Sequence, residues 1–305
     1  MAKLGITTTY QDVADLAVGE ILARSVKIAP DKVCIVFKER RITYKELDEQ
    51  SNALAASMQE IGIGKGDRVS IYMSPCPELY IAFYALQKIG VIVAWANPPY
   101  KAHELMFILN NSQARAVLVQ KGKNGLDNFG SVQELRGGLP NLSYVISVGG
   151  GGGEGVFSFA DFVSRGRQKT YKKPPIDIHQ DLSMLIYTSG TTGVPKGSMI
   201  THFQVVRGGY SYVDGVKATA DDIFVGILPL THSYGCGAAL IQPILIQAAV
   251  IVLETFTPEE AFKAIAAEKA TIQHGAPTHY VLEMNNPNID KYDLSSLRAG
   301  FLAGQ

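Results

Sequence analysis

Between Tyr187 and Gly197 the chain reads YTSGTTGVPKG. The hydroxyls of Thr188, Ser189, Thr191 and Thr192 share this stretch with Gly190, Gly193 and Gly197 and with Lys196, directly after the apolar run Met184-Leu185-Ile186. Such a composition suits a polyphosphate. Glycines let backbone N–H groups turn inward, hydroxyls donate to phosphate oxygens, and a lysine adds a mobile positive charge. Each charge-assisted hydrogen bond contributes roughly 1.5–3 kcal/mol net, so several together can anchor a triphosphate. The order of residues excludes the G-x-x-x-x-G-K-[ST] loop, because Lys196 follows Pro195 and precedes Gly197.

A second candidate is His232 in PLTHSYG, Pro229 to Gly235, between a proline stop and a glycine. A lone histidine is more often structural, and its place downstream of the Gly/Thr-rich loop is what raises its interest. His103, His179, His202, His274 and His279 have no spacing that makes a metal site, and only His274 is a candidate pocket neighbour. Cys34, Cys76 and Cys236 are odd in number and far apart, so they read as buried reduced thiols.

The elements around these residues alternate. Cys34–Phe37 and Ile42–Tyr44 form a hairpin, and a helix follows with Thr43 as N-cap and Glu46 closing a capping box. Its apolar face runs through Leu47, Leu54, Met58 and Ile61 to a stop at Gly62. Strand 69–73, helix 78–89, strand 91–96, helix 103–110 and strand 116–119 come next. This alternation predicts an α/β fold with mostly parallel, helix-covered sheets. Thr201 with Gln204, and Thr257-Pro258-Glu259-Glu260, mark two further helix starts. Strand 250–253, helix 258–269 and strand 270–273 read as one βαβ unit. Gly150, Gly152 and Gly155 match G-x-G-x-x-G, but no acidic residue sits about twenty positions on, so they read as a surface loop. The basic segment 165–175 reads as a solvated linker between lobes 1–175 and 176–305.

YTSGTTGVPKG resembles the signature loop of the adenylate-forming superfamily, which includes acyl-CoA and aryl-CoA ligases. Ile42–Ala55, Gly90–Leu105, Gly275–Tyr280 and Leu297–Gln305 resemble further segments of it in the same order, so the resemblance spans the chain. It implies an ATP-dependent acid–thiol ligase that makes an acyl-adenylate and passes the acyl group to coenzyme A. By that resemblance Thr188, Ser189, Gly190, Thr191, Thr192, Gly193 and Lys196 clamp the polyphosphate, with Gly304 and Gln305 against the adenine. His232 orients the carboxylate, and Tyr234, Gly235 and Ala303 line the acyl side. Lys196 and His232 are the catalytic candidates.

The same resemblance implies that residues 1–305 are an incomplete AMP-binding N-terminal domain. The Mg²⁺-binding glutamate, a ribose-binding aspartate and a C-terminal lysine-bearing domain would lie downstream, leaving this chain inactive alone and with no metal site of its own. A fatty acid is the first candidate substrate, because Gly235, Gly237, Ala238 and Ala239 would leave room for an acyl tunnel. An aromatic-acid CoA ligase is the alternative, and a non-catalytic remnant that binds nucleotide or a partner is a third. No aspartate for pairing a substrate amine stands near His232, which argues against amino-acid substrates.

The resemblance implies small-molecule partners, a carboxylic acid, ATP and coenzyme A, and composition gives no reason to expect others. The 28 basic and 28 acidic side chains balance to a formal net charge of zero, so no field draws the chain to nucleic acid or an anionic surface. The most apolar stretch, Leu240 to Leu253, is broken by Gln242, Pro243 and Gln247 and is too short to span a bilayer. The N-terminus lacks the apolar core of a signal peptide, so a cytoplasmic enzyme is expected. Oligomeric state is not legible.

Overall fold

The computed structural model describes residues 7–122, 127–150, 152–188 and 195–304. Its strands are β1 (Val33–Phe37), β2 (Arg40–Thr43), β3 (Arg68–Tyr72), β4 (Ile92–Trp95), β5 (Ala116–Gln120), β6 (Tyr144–Val148), β7 (Val156–Ser158), β8 (Leu182–Thr188), β9 (Lys196–Thr201), β10 (Ile223–Gly226), β11 (Ala249–Val252) and β12 (Ile272–Gln273). They form a seven-stranded sheet, β7-β6-β5-β3-β4-β8-β9, and a five-stranded sheet, β12-β10-β11-β1-β2. Every pairing is parallel except the hairpins β8–β9 and β1–β2. The α/β fold with helix-covered, mostly parallel sheets is thus observed.

Strand alternation explains the layering. Ile35 and Val250 face one apolar cluster while their neighbours Val36 and Ile251 face another. The first cluster runs from the five-stranded sheet through Leu22, Leu54, Phe83 and Leu240 of intervening helices to Ile71 and Val93 of the seven-stranded sheet. Leu105, Ile108 and Val132 cover the far face of the large sheet, and Ala261 and Ile265 that of the small one. Sheets buried on both faces explain the near-continuous apolar strands.

Local signals are realised at the expected caps. Thr43 accepts from Glu46 N–H while the Glu46 carboxylate accepts from Thr43 N–H at 2.8 Å. Thr201 and Gln204 repeat the arrangement, and the Thr257 hydroxyl caps the helix Pro258–Glu268. Each such cap contributes about 1 kcal/mol.

Three details differ from the sequence reading. β10 lies between β11 and β12, so the unit 250–273 is a crossover that skips a strand. The run Ile223-Phe224-Val225 fills that gap, because a fully apolar strand is stable in the interior of a sheet and not at its edge. Sheet membership also ignores position 175. β1 and β2 join the small sheet, while β8 and β9 complete the large one. Finally, segment 167–175 is exposed but tied down. Lys172 N–H donates to Gln59 Oε1 and Gln59 Nε2 returns a bond to Lys172 C=O, both at 2.7 Å, and Lys169 pairs with Glu60.

Candidate active site

The carboxyl ends of the parallel strands from both sheets converge on one cleft. Met73 and Ser74 follow β3, Asn97 and Pro98 lie just past β4, Gln120 ends β5, Gly226 ends β10, and Leu253 and Glu254 follow β11. The cleft has a volume of about 510 Å³, within the usual span of small-molecule sites. Ligands of open α/β sheets collect at this edge, where backbone groups and helix starts point outward. Proline at N1 opens the helix Pro77–Lys88 beside it.

β8 ends at the same edge. Val93 and Ala94 pair with Met184 and Leu185 in parallel, and extending that register by three residues sets Thr188 level with Asn97. Across the hairpin Thr188 pairs with Lys196, and both are exposed. Ser189, Gly190, Thr191, Thr192 and Gly193, five residues of the expected clamp, lie outside the described residues, as does Gln305. The Tyr187 ring supports the returning strand: a Cβ added at Gly197 would stand 3.2 Å from it, and the Tyr187 hydroxyl donates to Asn111 Oδ1 at 2.9 Å.

PLTHSYG forms the opposite wall. Pro229, Leu230 and Thr231 line the cleft, and His232 is an exposed N-cap. His232 Nδ1 accepts from Tyr234 N–H at 3.2 Å, which leaves Nε2 as the protonated nitrogen of the neutral ring. A donor at an exposed ring nitrogen can meet a carboxylate. Gly235 is required by close approach: a Cβ there would lie 2.1 Å from the Pro229 carbonyl oxygen. Tyr234 is buried and its hydroxyl donates to Phe301 C=O at 2.7 Å, while burial pushes its phenol well up. It braces the strand segment 299–303 rather than offering a free hydroxyl. Ala303 N–H donates to Gly275 C=O at 3.2 Å, and Gly304 is exposed with φ +84°.

His274 completes this brace. Its Nδ1 accepts from Phe301 N–H at 2.9 Å, so Nε2 carries the proton toward Gln242 Oε1 at 2.8 Å. Burial holds the ring neutral by lowering its pKa to about 4. The room expected beside Gly235, Gly237, Ala238 and Ala239 is occupied. All four are buried, and a Cβ on Gly237 would meet the Tyr212 ring at 2.8 Å. Here their small size serves close packing.

Sequence reasoning missed most of the cleft's other lining. Asn128, Gln120, Phe256 and His279 reach it from four separate segments. His279, expected as packing, lies against Phe256 with ring centroids 4.6 Å apart, and its Nδ1 accepts from Ala276 N–H. Only the sheet order brings these positions together. Among the described residues no group of three or more His, Cys, Asp or Glu side chains could hold a metal ion, and no helix is long and apolar enough to cross a membrane.

The architecture is that of an α/β protein with a small-molecule cleft at the carboxyl edge of its sheets, and comparison with known proteins narrows the class. The AMP-binding enzyme family matches residues 22–305, and the chain belongs to that family. It is 30% identical over 301 residues to the long-chain-fatty-acid–CoA ligase of Bacillus subtilis (strain 168), covering 92% of this chain and 53% of that protein. It is 29% identical over 266 residues to 4-coumarate–CoA ligase 1 of Solanum tuberosum, covering 85% and 47%. The fold matches that of the anthranilate CoA ligase AuaEII, solved with anthranoyl-AMP, with a TM-score of 0.88 at 24% identity, over 98% of this chain and 57% of that one. The chain spans about half the length of the curated relatives it matches.

Proposed function

We propose that the chain carries the acid- and nucleotide-binding part of an ATP-dependent acid–thiol ligase. The supporting observation is that β8, which leads into YTSGTTGVPKG, ends level with Asn97 at the same strand edge as the cleft lined by Pro229, Leu230 and Thr231. A carboxylate oxygen attacks the α-phosphorus of ATP, the bond to the bridging oxygen breaks, and pyrophosphate leaves. The thiol of coenzyme A then attacks the acyl carbonyl, the thiol proton is lost and AMP departs. In the first step Lys196 neutralises charge on the leaving pyrophosphate, with Thr188, Ser189, Gly190, Thr191, Thr192 and Gly193 holding the phosphates. His232 orients the carboxylate through Nε2–H. Gly304 and Gln305 lie on the adenine side. The rate gain comes from positioning and charge stabilisation, as in other phosphoryl transfers.

For the acid, an aliphatic chain is favoured over an aromatic ring. Ile227, Leu228, Leu230 and Leu253 give the cleft an aliphatic lining. The test is ATP–pyrophosphate exchange by the protein expressed from its whole open reading frame, across acids from benzoate to palmitate. Exchange that rises with chain length supports the aliphatic reading, and benzoate as best substrate replaces it with the aromatic one. The net charge of zero fits small-molecule partners.

A further inference from the structure

The helical run from Ser233 to Leu245, which leads away from His232, is not α-helical throughout. Its middle, Cys236–Ile241, is π-helical and buried, and Gln242 N–H bonds Gly237 C=O, five residues back. Pro243 supplies the cause. It has no N–H for Ala239 C=O, its α-helical partner, and its ring would collide with that carbonyl. A π-turn relieves the collision.

Two tyrosines on the helix Pro77–Lys88 meet this turn. The Tyr80 hydroxyl donates to Ala239 C=O at 3.2 Å and the Tyr84 hydroxyl to Leu240 C=O at 2.7 Å. Tyr44 secures the far end, donating to Pro243 C=O at 3.2 Å and Ala248 C=O at 2.7 Å. Tyr80 and Tyr84 are almost wholly buried, so each hydroxyl has to find a partner there. The turn also sets an angle. One inserted residue rotates the helical turn before it by about 100° relative to the turn after it. The earlier part carries His232, Tyr234 and Gly235, while the later part is fixed in the core by Ile244 and Leu245.

We propose that Tyr80 and Tyr84 are positioning residues that hold the π-turn, and through it the rotation of the His232 wall toward the acid. This rests on the ligase reading, and two readouts keep the two ideas apart. The first needs no substrate. Hydrogen–deuterium exchange of peptides spanning 233–241 should quicken about tenfold in Tyr80→Phe, where opening costs one hydrogen bond less. Exchange equal to the wild type in both Tyr80→Phe and Tyr84→Phe overturns the proposal.

The second readout is kinetic. Tyr80→Phe should raise KM for the acid about tenfold, with kcat changed by less than about twofold and KM for ATP unchanged. Pro243→Ala restores the missing N–H. The double variant Tyr80→Phe/Pro243→Ala should therefore regain amide protection in an ordinary α-turn while its acid KM stays high. Recovery of protection and KM together would show that the tyrosine only stabilises the fold, and would overturn the positioning role. If the wild type exchanges pyrophosphate with no acid, the ligase reading fails while amide exchange still decides whether the tyrosines hold the turn.

Discussion

Replacing Gly235 by alanine tests the wall of the cleft without touching a polar group. Gly235 has φ −65° and ψ −40°, so alanine fits the backbone. In an open helix the change would stabilise by up to about 1 kcal/mol. Here the new Cβ would sit 2.1 Å from Pro229 O, 2.7 Å from Pro229 C and 3.2 Å from Leu228 C, all rigid backbone. Ordinary contact begins near 3.4 Å, so the helix start and the 228–231 segment must part by about 1.3 Å (3.4 − 2.1). Overpacking of this kind costs about 1–3 kcal/mol, which exceeds the helical gain. A net loss of about 1–2 kcal/mol is expected in urea unfolding. Because the displaced backbone carries Leu230, Thr231 and His232, acid-dependent exchange should fall about 100-fold, the usual consequence of a misplacement near 1 Å. Gly208, in the helix His202–Val216, is the control: a Cβ there meets nothing within 4 Å, so Gly208→Ala should stabilise by about 0.4–1 kcal/mol. If Gly235→Ala is as stable and active as the wild type, or behaves like Gly208→Ala, the close-approach argument is wrong.

Charged groups supply the other predictions. Lys196→Ala should slow pyrophosphate exchange about 100-fold if the ammonium stabilises charge in the transition state, and a near-normal rate would remove it from the clamp. Lys88 is almost fully buried, with Nζ donating to Asp48 Oδ1 at 2.6 Å, Ser51 Oγ at 2.6 Å and Asn52 Oδ1 at 2.7 Å. Burial lowers its pKa to about 8. Between there and the unfolded value of about 10.4 the unfolded chain binds more protons, so this group's contribution to stability rises with pH across that window. Comparing urea midpoints at pH 7.5 and 9.5, the rise should be smaller in Lys88→Met, and an identical change in both proteins would contradict the assignment. Asp222 accepts from Arg298 through Nε at 2.9 Å and Nη2 at 2.5 Å, which helps hold its carboxyl below the usual range despite burial. Arg298→Met should cost about 2 kcal/mol and expose residues 299–303 to proteolysis, and unchanged cleavage would show that Tyr234, His274 and the backbone of 273–275 hold that segment without it.

How much could be read in advance depends on the range of the interactions. Thr43 with Glu46, Thr201 with Gln204 and Thr257 with Pro258 are local, so their helices begin where the sequence placed them. The motif segments at Tyr187 and Pro229 stand out in the sequence because each packs candidate chemistry into a few consecutive residues. The convergence of Met73, Asn97, Gln120, Gly226 and Leu253 was not, since it depends on strand order. Partner choice between apolar strands is set by long-range packing, which a pattern with one periodicity does not encode. The small residues after His232 misled for a related reason: a glycine can mark a void or a backbone pressed against it. The contact of Gly235 with Pro229 is the second case. Tyr234, expected at the acyl side, likewise spends its hydroxyl on a carbonyl 67 residues away.

The most direct measurement of the central claim is acid-dependent ATP–pyrophosphate exchange by the protein from its whole reading frame, run beside Lys196→Ala and His232→Ala. The account predicts label entering ATP only when a carboxylic acid is present, strongly reduced in both variants, with AMP as the nucleotide product once coenzyme A is added. Exchange indifferent to acid, or turnover to ADP and phosphate, would contradict it.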